Sequence, residues 1–312
     1  MLKTSVIGVG SLGQHHARIY AGMKDINLVA VVDSDEKNGK KQAKKYKATY
    51  LKDYHQLVGK VDAVSIAVPT PLHFEVAKFF LENKIHCLVE KPITVTLKEA
   101  DTLISLAEKN GVILQVGHIE RFNPAILHAQ NFLKNPRFIE INRLGPYSPR
   151  VSHVGVVLDL MVHDLDMVLF LTGSKVTSID AVGTKVISGC EDIANVRLHF
   201  ESGCVANISA SRVSLEKLRK IRVFQDDSYI SLNYEKQDLK VYQKKSGIEK
   251  VESLKDITLT THVPKKEEPL FLELRDYIDC IKASKPPKVD GLHGRAALAL
   301  ALEIVKQIEK LS

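Results

Sequence analysis

Lys91 is a first residue suited to moving a proton. It follows an apolar run directly and lies between Glu90 and Pro92, a proline that restricts the backbone there. A lysine beside a cleft can donate to a substrate hydroxyl or oxyanion, and partial burial helps it to transfer a proton. Its position equally allows a surface lysine paired with Glu90.

Asp159 and His163 form a second candidate group. They are four residues apart on a helix predicted from about Val157 to Leu171, so they share one face. An imidazole titrates near neutrality and suits proton removal from an alcohol, and Asp159 could orient the ring or hold a hydroxyl. The alternative is ordinary pairing on a helix surface, because Asp164 and Asp166 lie nearby. A metal site is not expected here, since no second ligand group is evident.

A glycine-rich turn at the start of the chain predicts a diphosphate site. The apolar run Thr4–Ile7 leads into Gly8-x-Gly10-x-x-Gly13, and a helix follows at once. The first glycine permits a tight bend, the second leaves bare backbone, and the third allows close packing of helix on strand. The N–H groups of the turn and helix, including those of Ser11 and Leu12, would bind the anion.

Asp33 predicts which dinucleotide this turn would bind. It ends a second apolar strand, Leu28–Val32, and comes 20 residues after Gly13. A carboxylate there accepts hydrogen bonds from both ribose hydroxyls and repels a 2′-phosphate, which favours NAD over NADP. The alternative is that the glycines only close a turn and that Asp33 caps the next helix.

Strands alternate with helices through about residue 120, which predicts a parallel, doubly wound sheet. In such sheets the ligand binds at the carboxyl ends of the strands, where the chain's glycine and proline segments fall. The residues predicted to contact the cofactor there are Gly8, Gly10, Ser11, Leu12, Gly13, Asp33, Pro69, Thr70, Pro71, His73, Glu90, Lys91 and His118.

After about residue 120 the pattern changes to β-like runs separated by turn signals. These runs, from residue 137 to residue 243, predict an open and mostly antiparallel sheet, followed by a mobile loop at 244–268 and two closing helices. The fold class is therefore α/β, with a Rossmann domain at 1–120 and an α+β domain at 121–312, whose last helix could pack back on the first domain. The uncovered face of such a sheet predicts a homo-oligomer formed through it.

Several polar residues beyond residue 118 are candidates for binding an anionic substrate. Arg121, Asn123 and Arg150 are the predicted substrate contacts, and Arg143 and Arg212 could also bind a diphosphate through their guanidinium groups. Asn123-Pro124 is also an ordinary helix start, and each arginine could equally be a surface charge.

Composition excludes several classes of protein. The 312 residues are 45% hydrophobic and 26% charged, which is typical of a globular chain, and no apolar run reaches the ~18 residues of a membrane span. The net charge of +7 comes largely from a lysine-rich helix at 35–46 without interleaved aromatics, which favours a solvated surface over a nucleic-acid site. Four dispersed cysteines and the absence of a leader before the first strand predict a reducing cytoplasm.

Four motifs together resemble the glucose–fructose oxidoreductase / inositol dehydrogenase family. They cover the whole chain in order and are Gly8-x-Gly10-x-x-Gly13, Pro69-Thr70-Pro71-x-His73, Glu90-Lys91-Pro92 and Asp159-x-x-x-His163. The resemblance implies an NAD(P)-binding Rossmann domain and a sugar-binding domain with an open sheet. It also implies that Lys91, Asp159 and His163 face the substrate.

Residues around two of these motifs are similar to one branch of the family. The family often has glycine two residues after the aspartate, where this chain has Met161; this and the segment His118–Pro124 resemble the branch that oxidises UDP-N-acetylglucosamine at the 3-position. That branch prepares an amino sugar for lipid A or related glycans. An inositol or free-sugar dehydrogenase, an NAD-dependent glycosidase and a regulatory protein that only binds the cofactor are the alternatives.

Overall fold

The chain divides into two units, each with its own sheet. The structure, a computed structural model, describes residues 1–149, 153–245, 247–248 and 250–311. Met1–Ile119 and Glu268–Leu298 form the first unit, and the second contains Glu120–Glu267 and the chain from Ala299 onward. The sequence predicted a second domain at 121–312 whose last helix could pack back on the first domain, and residues 268–298 belong to the first unit.

The first unit contains a six-stranded parallel sheet in the order β3-β2-β1-β4-β5-β6. Its strands are β1 (Leu2–Ile7), β2 (Ile26–Val32), β3 (Thr49–Leu51), β4 (Ala63–Ile66), β5 (His86–Glu90) and β6 (Leu114–Gly117). β3 has only three residues and was not predicted. The strand order reverses between β1 and β4, and a ligand crevice forms at such a point in open parallel sheets.

Four helices connect these strands: α1 (Gly13–Gly22), α2 (Glu36–Tyr46), α3 (His73–Glu82) and α4 (Leu97–Asn110). Their ends follow from local chemistry. Asp35 caps α2 by accepting from the Asn38 N–H, and Thr96 and Glu99 form a reciprocal capping box on α4. Gly111, with φ of +65°, ends α4 in the left-handed conformation that glycine adopts readily.

The second unit contains an eight-stranded sheet in the order β14-β13-β12-β11-β7-β10-β9-β8. Its strands are β7 (Phe138–Leu144), β8 (Val176–Thr184), β9 (Ile193–Phe200), β10 (Val205–Ser211), β11 (Leu218–Phe224), β12 (Ser228–Asn233), β13 (Asp238–Lys244) and β14 (Ile257–His262). All its pairings are antiparallel except β7 with β10. The prediction of a loop throughout 244–268 was wrong at β14, which pairs along β13.

One face of this sheet is covered by helical segments and the other is not buried. α5 (Pro124–Ala129) contacts β12 and β13, and a wide π-helical turn at Val157–Met161 contacts β10 and continues into α6 (Val162–Thr172). Ile139, Val196 and Ile208 are completely or almost completely buried on the covered face, and their neighbours along each strand are not. This alternation is that of an antiparallel sheet with one packed face.

Two helices close the chain: α7 (Pro269–Ala283) and α8 (Gly291–Leu311). α7 lies in the core of the first unit, where the Tyr277 hydroxyl donates to the Val64 carbonyl at 3.2 Å. The Gln115 side-chain amide donates to the Glu273 carbonyl at 3.1 Å. These long-range contacts explain why residues 268–298 complete the first unit although they follow the second sheet in sequence.

Candidate active site and cofactor site

The glycine turn after β1 can be occupied only by glycine at two of its positions. Gly8 has φ of +80°, and a Cβ there would lie 2.8 Å from the Ala67 carbonyl oxygen. A Cβ on Gly13 would lie 1.8 Å from the Gly8 carbonyl oxygen. A Cβ on Gly10, by contrast, would meet no atom within 4 Å. The turn is thus packed on its inner side and open at Gly10, at the start of α1, which fits a diphosphate held by backbone N–H groups.

Asp33 braces this turn from the end of β2. One carboxylate oxygen accepts from the Val9 N–H at 2.9 Å, and the other accepts from the Asp35 N–H at 2.9 Å. The side chain is half-buried; the oxygen bonded to Val9 also accepts from the Asn38 side-chain amide at 3.5 Å, and the oxygen bonded to Asp35 can accept a further hydrogen bond. The predicted ribose role therefore remains compatible with this geometry, whereas the helix cap is Asp35.

His73 ties together two loops at the same edge of the sheet. Pro69 and Pro71 are exposed on the turn after β4, and His73 begins α3 behind them, almost fully buried. Its ring nitrogens lie 2.8 Å from the Pro92 carbonyl oxygen and 2.9 Å from the Val68 carbonyl oxygen. Burial lowers the pKa of His73, and the two carbonyl oxygens act in the opposite direction. His73 thus positions these two loops. Thr70, between Pro69 and Pro71, is half-buried.

Glu90 and Lys91 lie at the carboxyl end of β5. Glu90 is buried, and its carboxylate lies 3.0 Å from the His16 Nε2 atom. Lys91 is half-buried and precedes Pro92 through a cis peptide bond. His118 is buried just beyond the end of neighbouring β6. The predicted cofactor residues of the first unit therefore converge on one edge of its sheet.

Asp159 and His163 lie at the start of the helix in the second unit. Asp159 is within the π-helical turn and His163 is on the first turn of α6, and both side chains are half-buried. The sequence predicted a regular α-helix here. A π turn widens the helix locally, is rare, and often occurs at functional sites.

The charged residues near them have a different environment. Arg121 is 4% exposed, and both arms of its guanidinium donate to Asp166, at 2.8 and 2.6 Å. Arg143 is equally buried and donates to Asp164 and to Glu120. Burial alone would lower the pKa of Arg143, but these two carboxylates raise it well above its ordinary value.

Four residues that were predicted to bind an anion or the substrate have partners within the protein. Arg121 and Arg143 are committed to buried ion pairs, and Arg212 donates to the buried carboxylate of Asp192 at 2.8 Å. Asn123 caps α5 by accepting from the Ala125 N–H, as the helix-start interpretation predicts, and its contact with the substrate stays a prediction. The buried arginines with carboxylate partners shape the interior of the unit. Arg150 lies outside the described residues.

The sequence reading missed two groups of residues. His16 contacts Glu90 although 74 residues separate them, and only its place three residues after Gly13 could have drawn attention to it. Asp164 and Asp166 were treated as neighbours that weaken the assignment of Asp159. Their apolar neighbours, Val162, Leu165 and Met167, could have indicated that this stretch of α6 is buried.

The described residues contain no group of three or more histidine, cysteine or acidic side chains that could hold a metal ion. None of their helices combines the length and the apolar character needed to cross a membrane.

Comparisons with known proteins cover both units. Residues 2–118 match an oxidoreductase family with an NAD-binding Rossmann fold, and residues 128–231 match the GFO/IDH/MocA C-terminal domain. A UDP-N-acetylglucosamine 3-dehydrogenase of Acidithiobacillus ferrooxidans is 36% identical over 99% of this chain and 97% of that protein. A myo-inositol 2-dehydrogenase of Thermotoga maritima is 27% identical over 99% and 97%.

A solved structure extends the likeness to three dimensions. The structure of the Acidithiobacillus ferrooxidans enzyme superimposes with a TM-score of 0.92 at 35% identity, covering 99% of this chain and 98% of that one. The strand order, the glycine turn and the matches in both halves therefore agree. The chain belongs to the GFO/IDH/MocA family of NAD-binding oxidoreductases.

Proposed function

We propose that this protein oxidises the 3-hydroxyl of UDP-N-acetylglucosamine, or of a closely related nucleotide sugar, and transfers the hydride to NAD. The observation that supports this substrate is the 36% identity to a UDP-N-acetylglucosamine 3-dehydrogenase over 99% of the chain. That likeness includes the second unit, which in this proposal recognises the sugar. A match confined to the NAD-binding unit would have supported only the cofactor.

Three side chains act on the hydroxyl in this proposal. His163 removes the hydroxyl proton, Lys91 donates to the same oxygen and can relay the proton, and Asp159 orients the pair. NAD, when bound, accepts the hydride from the carbon that bears this hydroxyl. Either Lys91 or His163 could be the base, since both residue types can accept a proton. The half-burial of each allows contact with a bound substrate.

The cofactor is held by the backbone of the glycine turn and by Asp33. The open space at Gly10 would accommodate the diphosphate, and the Asp33 carboxylate, which also accepts from the Val9 N–H, would accept from the adenosine ribose. A 2′-phosphate beside the same carboxylate would be repelled, which supports NAD over NADP. The residues that would line the nicotinamide half, at the same strand ends, are Pro69, Thr70, Pro71, His73, Glu90 and His118.

The test is a screen for NAD reduction with UDP-sugars beside inositols and free sugars, read by NADH absorbance and by mass spectrometry of the product. We expect NADH formation with UDP-N-acetylglucosamine and a product lighter by two hydrogens. Turnover with inositols alone would contradict the proposed substrate. Cleavage of a glycosidic bond without net NADH would indicate an NAD-dependent glycosidase.

An inositol dehydrogenase is the second candidate, because the Thermotoga maritima myo-inositol 2-dehydrogenase also matches over almost the whole chain. Its lower identity, 27% against 36%, makes it the weaker proposal. The intramolecular partners of the arginines and of Asn123 do not decide between the two, since backbone N–H groups also bind phosphate.

The uncovered face of the second sheet supports a homo-oligomer. Four half-buried aromatic side chains form a row across β7, β11, β12 and β13, with neighbouring ring centroids 4.7 to 5.6 Å apart: Phe138, Phe224, Tyr229 and Tyr242. Aromatic side chains are enriched at protein interfaces. We expect a second copy of the chain to cover this row. A monomer in light scattering at micromolar concentration, or unchanged assembly in Tyr229→Lys, would contradict this.

The place of the reaction is part of the same proposal. The four cysteines are free in the structure, which fits a reducing cytoplasm. A 3-keto nucleotide sugar is the substrate that an aminotransferase needs to make the amino sugar of lipid A or a related glycan. Detection of the 3-amino product in a coupled assay with a nucleotide-sugar aminotransferase would test this order.

A further inference from the structure

His16 is a buried histidine to which the proposed mechanism assigns no part. It lies on α1, on the first turn after the glycine-rich segment, and its side chain is 0% exposed. Its Nε2 atom is 3.0 Å from a carboxylate oxygen of Glu90. Its Nδ1 atom has no hydrogen-bond partner among the residues that the structure describes. The Nε2–H tautomer therefore fits best, with the ring donating to Glu90.

The Glu90 carboxylate is confined on its other side by β6. Glu90 pairs with Gly117 in the parallel ladder, and a Cβ on Gly117 would lie 2.8 Å from the second carboxylate oxygen. That oxygen also accepts from the Lys91 N–H at 3.3 Å. The carboxylate is thus enclosed by the imidazole, the Gly117 backbone and the start of the Lys91 segment.

A carboxylate in this position needs a reason beyond packing. Burying it costs free energy unless its hydrogen bonds are satisfied, and an apolar pair of similar volume is often at least as stable. The pair does, however, connect two parts of the proposed site. His16 belongs to the helix that begins at the diphosphate turn, and Glu90 directly precedes Lys91.

We propose that His16 is a positioning residue for Lys91. By holding the Glu90 carboxylate against β6, it fixes the backbone from which Lys91 projects and links that backbone to the cofactor helix. This inference rests on the proposed function in one respect, which is that Lys91 acts on the substrate. Loss of the contact would leave NAD bound and Lys91 present but poorly oriented, so the rate would fall more than the affinity for NAD.

The experiment compares His16→Phe with His15→Phe. The first keeps a flat ring but cannot donate, and the second changes the exposed histidine beside it on the same helix. We expect kcat to fall about 10- to 100-fold in His16→Phe, the range for a lost hydrogen bond to a charged acceptor. We expect the KM for NAD to change less than about threefold, and His15→Phe to resemble the wild type.

Two further variants separate positioning from stability. His16→Gln can still donate from a similar position and should recover most of kcat, whereas His16→Asn is polar but too short and should not. In a cycle with Glu90→Gln, the double variant with His16→Phe should be little slower than either single one. Additive losses, or a lower melting temperature with unchanged kcat, would overturn the proposal.

A readout without any sugar distinguishes this proposal from the proposed function. The rate at which acetic anhydride modifies Lys91 can be followed against pH by peptide mass spectrometry, with the exposed Lys98 as internal reference. We expect the Lys91 profile to shift in His16→Phe and to remain unchanged in His15→Phe. If UDP-N-acetylglucosamine is no substrate, this shift still supports the role of His16; identical profiles in both variants would overturn it.

Discussion

Charged and titratable residues cluster in two places, at the strand ends of the first unit and at the start of α6 in the second. In the first unit, backbone geometry makes the site: the glycine turn is closely packed, and the strand-end loops are held by His73. In the second unit, two half-buried titratable residues and two buried carboxylates lie within eight positions. Asp164 and Asp166 are buried against arginines, whereas Asp159 and His163 are half-buried.

The difference between these places shows which functional residues a sequence can identify and which ones only a structure can identify. A turn that requires glycine leaves its mark in the sequence, because no other residue fits. A carboxylate in an ion pair and a carboxylate in a site have the same side chain, so only burial and partners separate them. The comparison predicts that changes in the two places should affect different measurements.

The largest expected effect is on turnover. His163→Ala and Lys91→Ala should each lower kcat by roughly 10²–10⁴-fold, because each removes a group that moves or stabilises the proton. Steady-state NADH formation with the sugar identified in the substrate screen measures it. Melting temperatures should stay close to wild type, since both side chains are half-buried. Near-normal turnover in both variants would remove these residues from the site.

Asp164→Asn should mainly lower the stability of the fold, whereas the two variants above should mainly lower kcat. It leaves the buried Arg143 guanidinium with only Glu120 as a charged partner, and breaking a buried pair in this way costs about 3–5 kcal/mol. Chemical denaturation followed by circular dichroism measures the loss. Asp180→Asn, at an exposed position on β8, is the matched control and should change stability by less than about 0.5 kcal/mol. Equal stability of the two variants would contradict the structural assignment.

Sequence reasoning predicted the first unit almost completely, and the reason is physical. Its sheet is buried on both faces, so the strands are continuous apolar runs, and its turns carry glycine or proline. The short β3 was missed because three residues carry too little pattern. In the second unit, β14 was missed because none of its residues, Ile257–His262, is buried, so it has no apolar alternation. The place of α7 in the first unit depends on long-range contacts such as Tyr277 with Val64.

The candidate site was predicted less evenly. Gly8, Gly13 and Asp33 could be assigned from spacing, because one local unit brings them together. The ion pairs of Arg121 and Arg143 were not foreseen, because an arginine that binds phosphate and one that binds Asp166 or Asp164 look alike in sequence. The contact of His16 with Glu90 could not be predicted, since the two residues are 74 positions apart and meet only when α1 packs on the sheet.

Asp33 offers a smaller test on the first side of the comparison. Asp33→Ala should weaken NAD binding about 10- to 100-fold, since it removes a charged acceptor of the ribose and the brace on Val9. Discrimination against NADP should fall with it, because the repulsion is gone. Titration calorimetry with each dinucleotide measures both changes.

Asp35→Ser is the control for that substitution. Asp35 is exposed two residues further on, and serine can still cap α2 by accepting from the Asn38 N–H. We expect its NAD affinity to stay within about threefold of wild type, since surface substitutions that keep a cap have small effects. If Asp33→Ala and Asp35→Ser bound NAD equally well, the ribose role of Asp33 would be abandoned.

The smallest expected effect is a difference between the two units in how their stability depends on pH. The His86 Nδ1 atom accepts from the Ile113 N–H at 2.9 Å, so the neutral ring is required, and burial lowers the pKa of His86 below its usual 6.5 despite the nearby Asp62. Burial also lowers the pKa of His73. A pKa that is lower in the folded state means that the unfolded chain binds more protons. The stability from these groups is therefore complete above pH 6.5 and lost as the pH falls toward the folded values.

The second unit should resist this change. Burial alone would raise the pKa of Asp192. Its hydrogen bonds nevertheless lower this pKa far below its usual range; the donors are the Ile187 N–H, the N–H and hydroxyl of Ser188, and the Arg212 guanidinium. That carboxylate keeps its charge in mild acid. Hydrogen exchange between about pH 7.5 and 5.5, corrected for intrinsic rates, should therefore show lower protection in the first unit, by at most ~1.4 kcal/mol per histidine per pH unit.

His86→Asn makes this last comparison decisive. The asparagine carbonyl oxygen can replace Nδ1 as acceptor for the Ile113 N–H, but it does not titrate in this range. The variant should therefore lose part of the acid sensitivity of the first unit while keeping its protection at neutral pH, and His15→Asn at an exposed position should lose none. Equal loss of protection in both units in acid would contradict the expected difference. An unchanged profile in His86→Asn would mean that the difference arises from groups other than this half-buried imidazole.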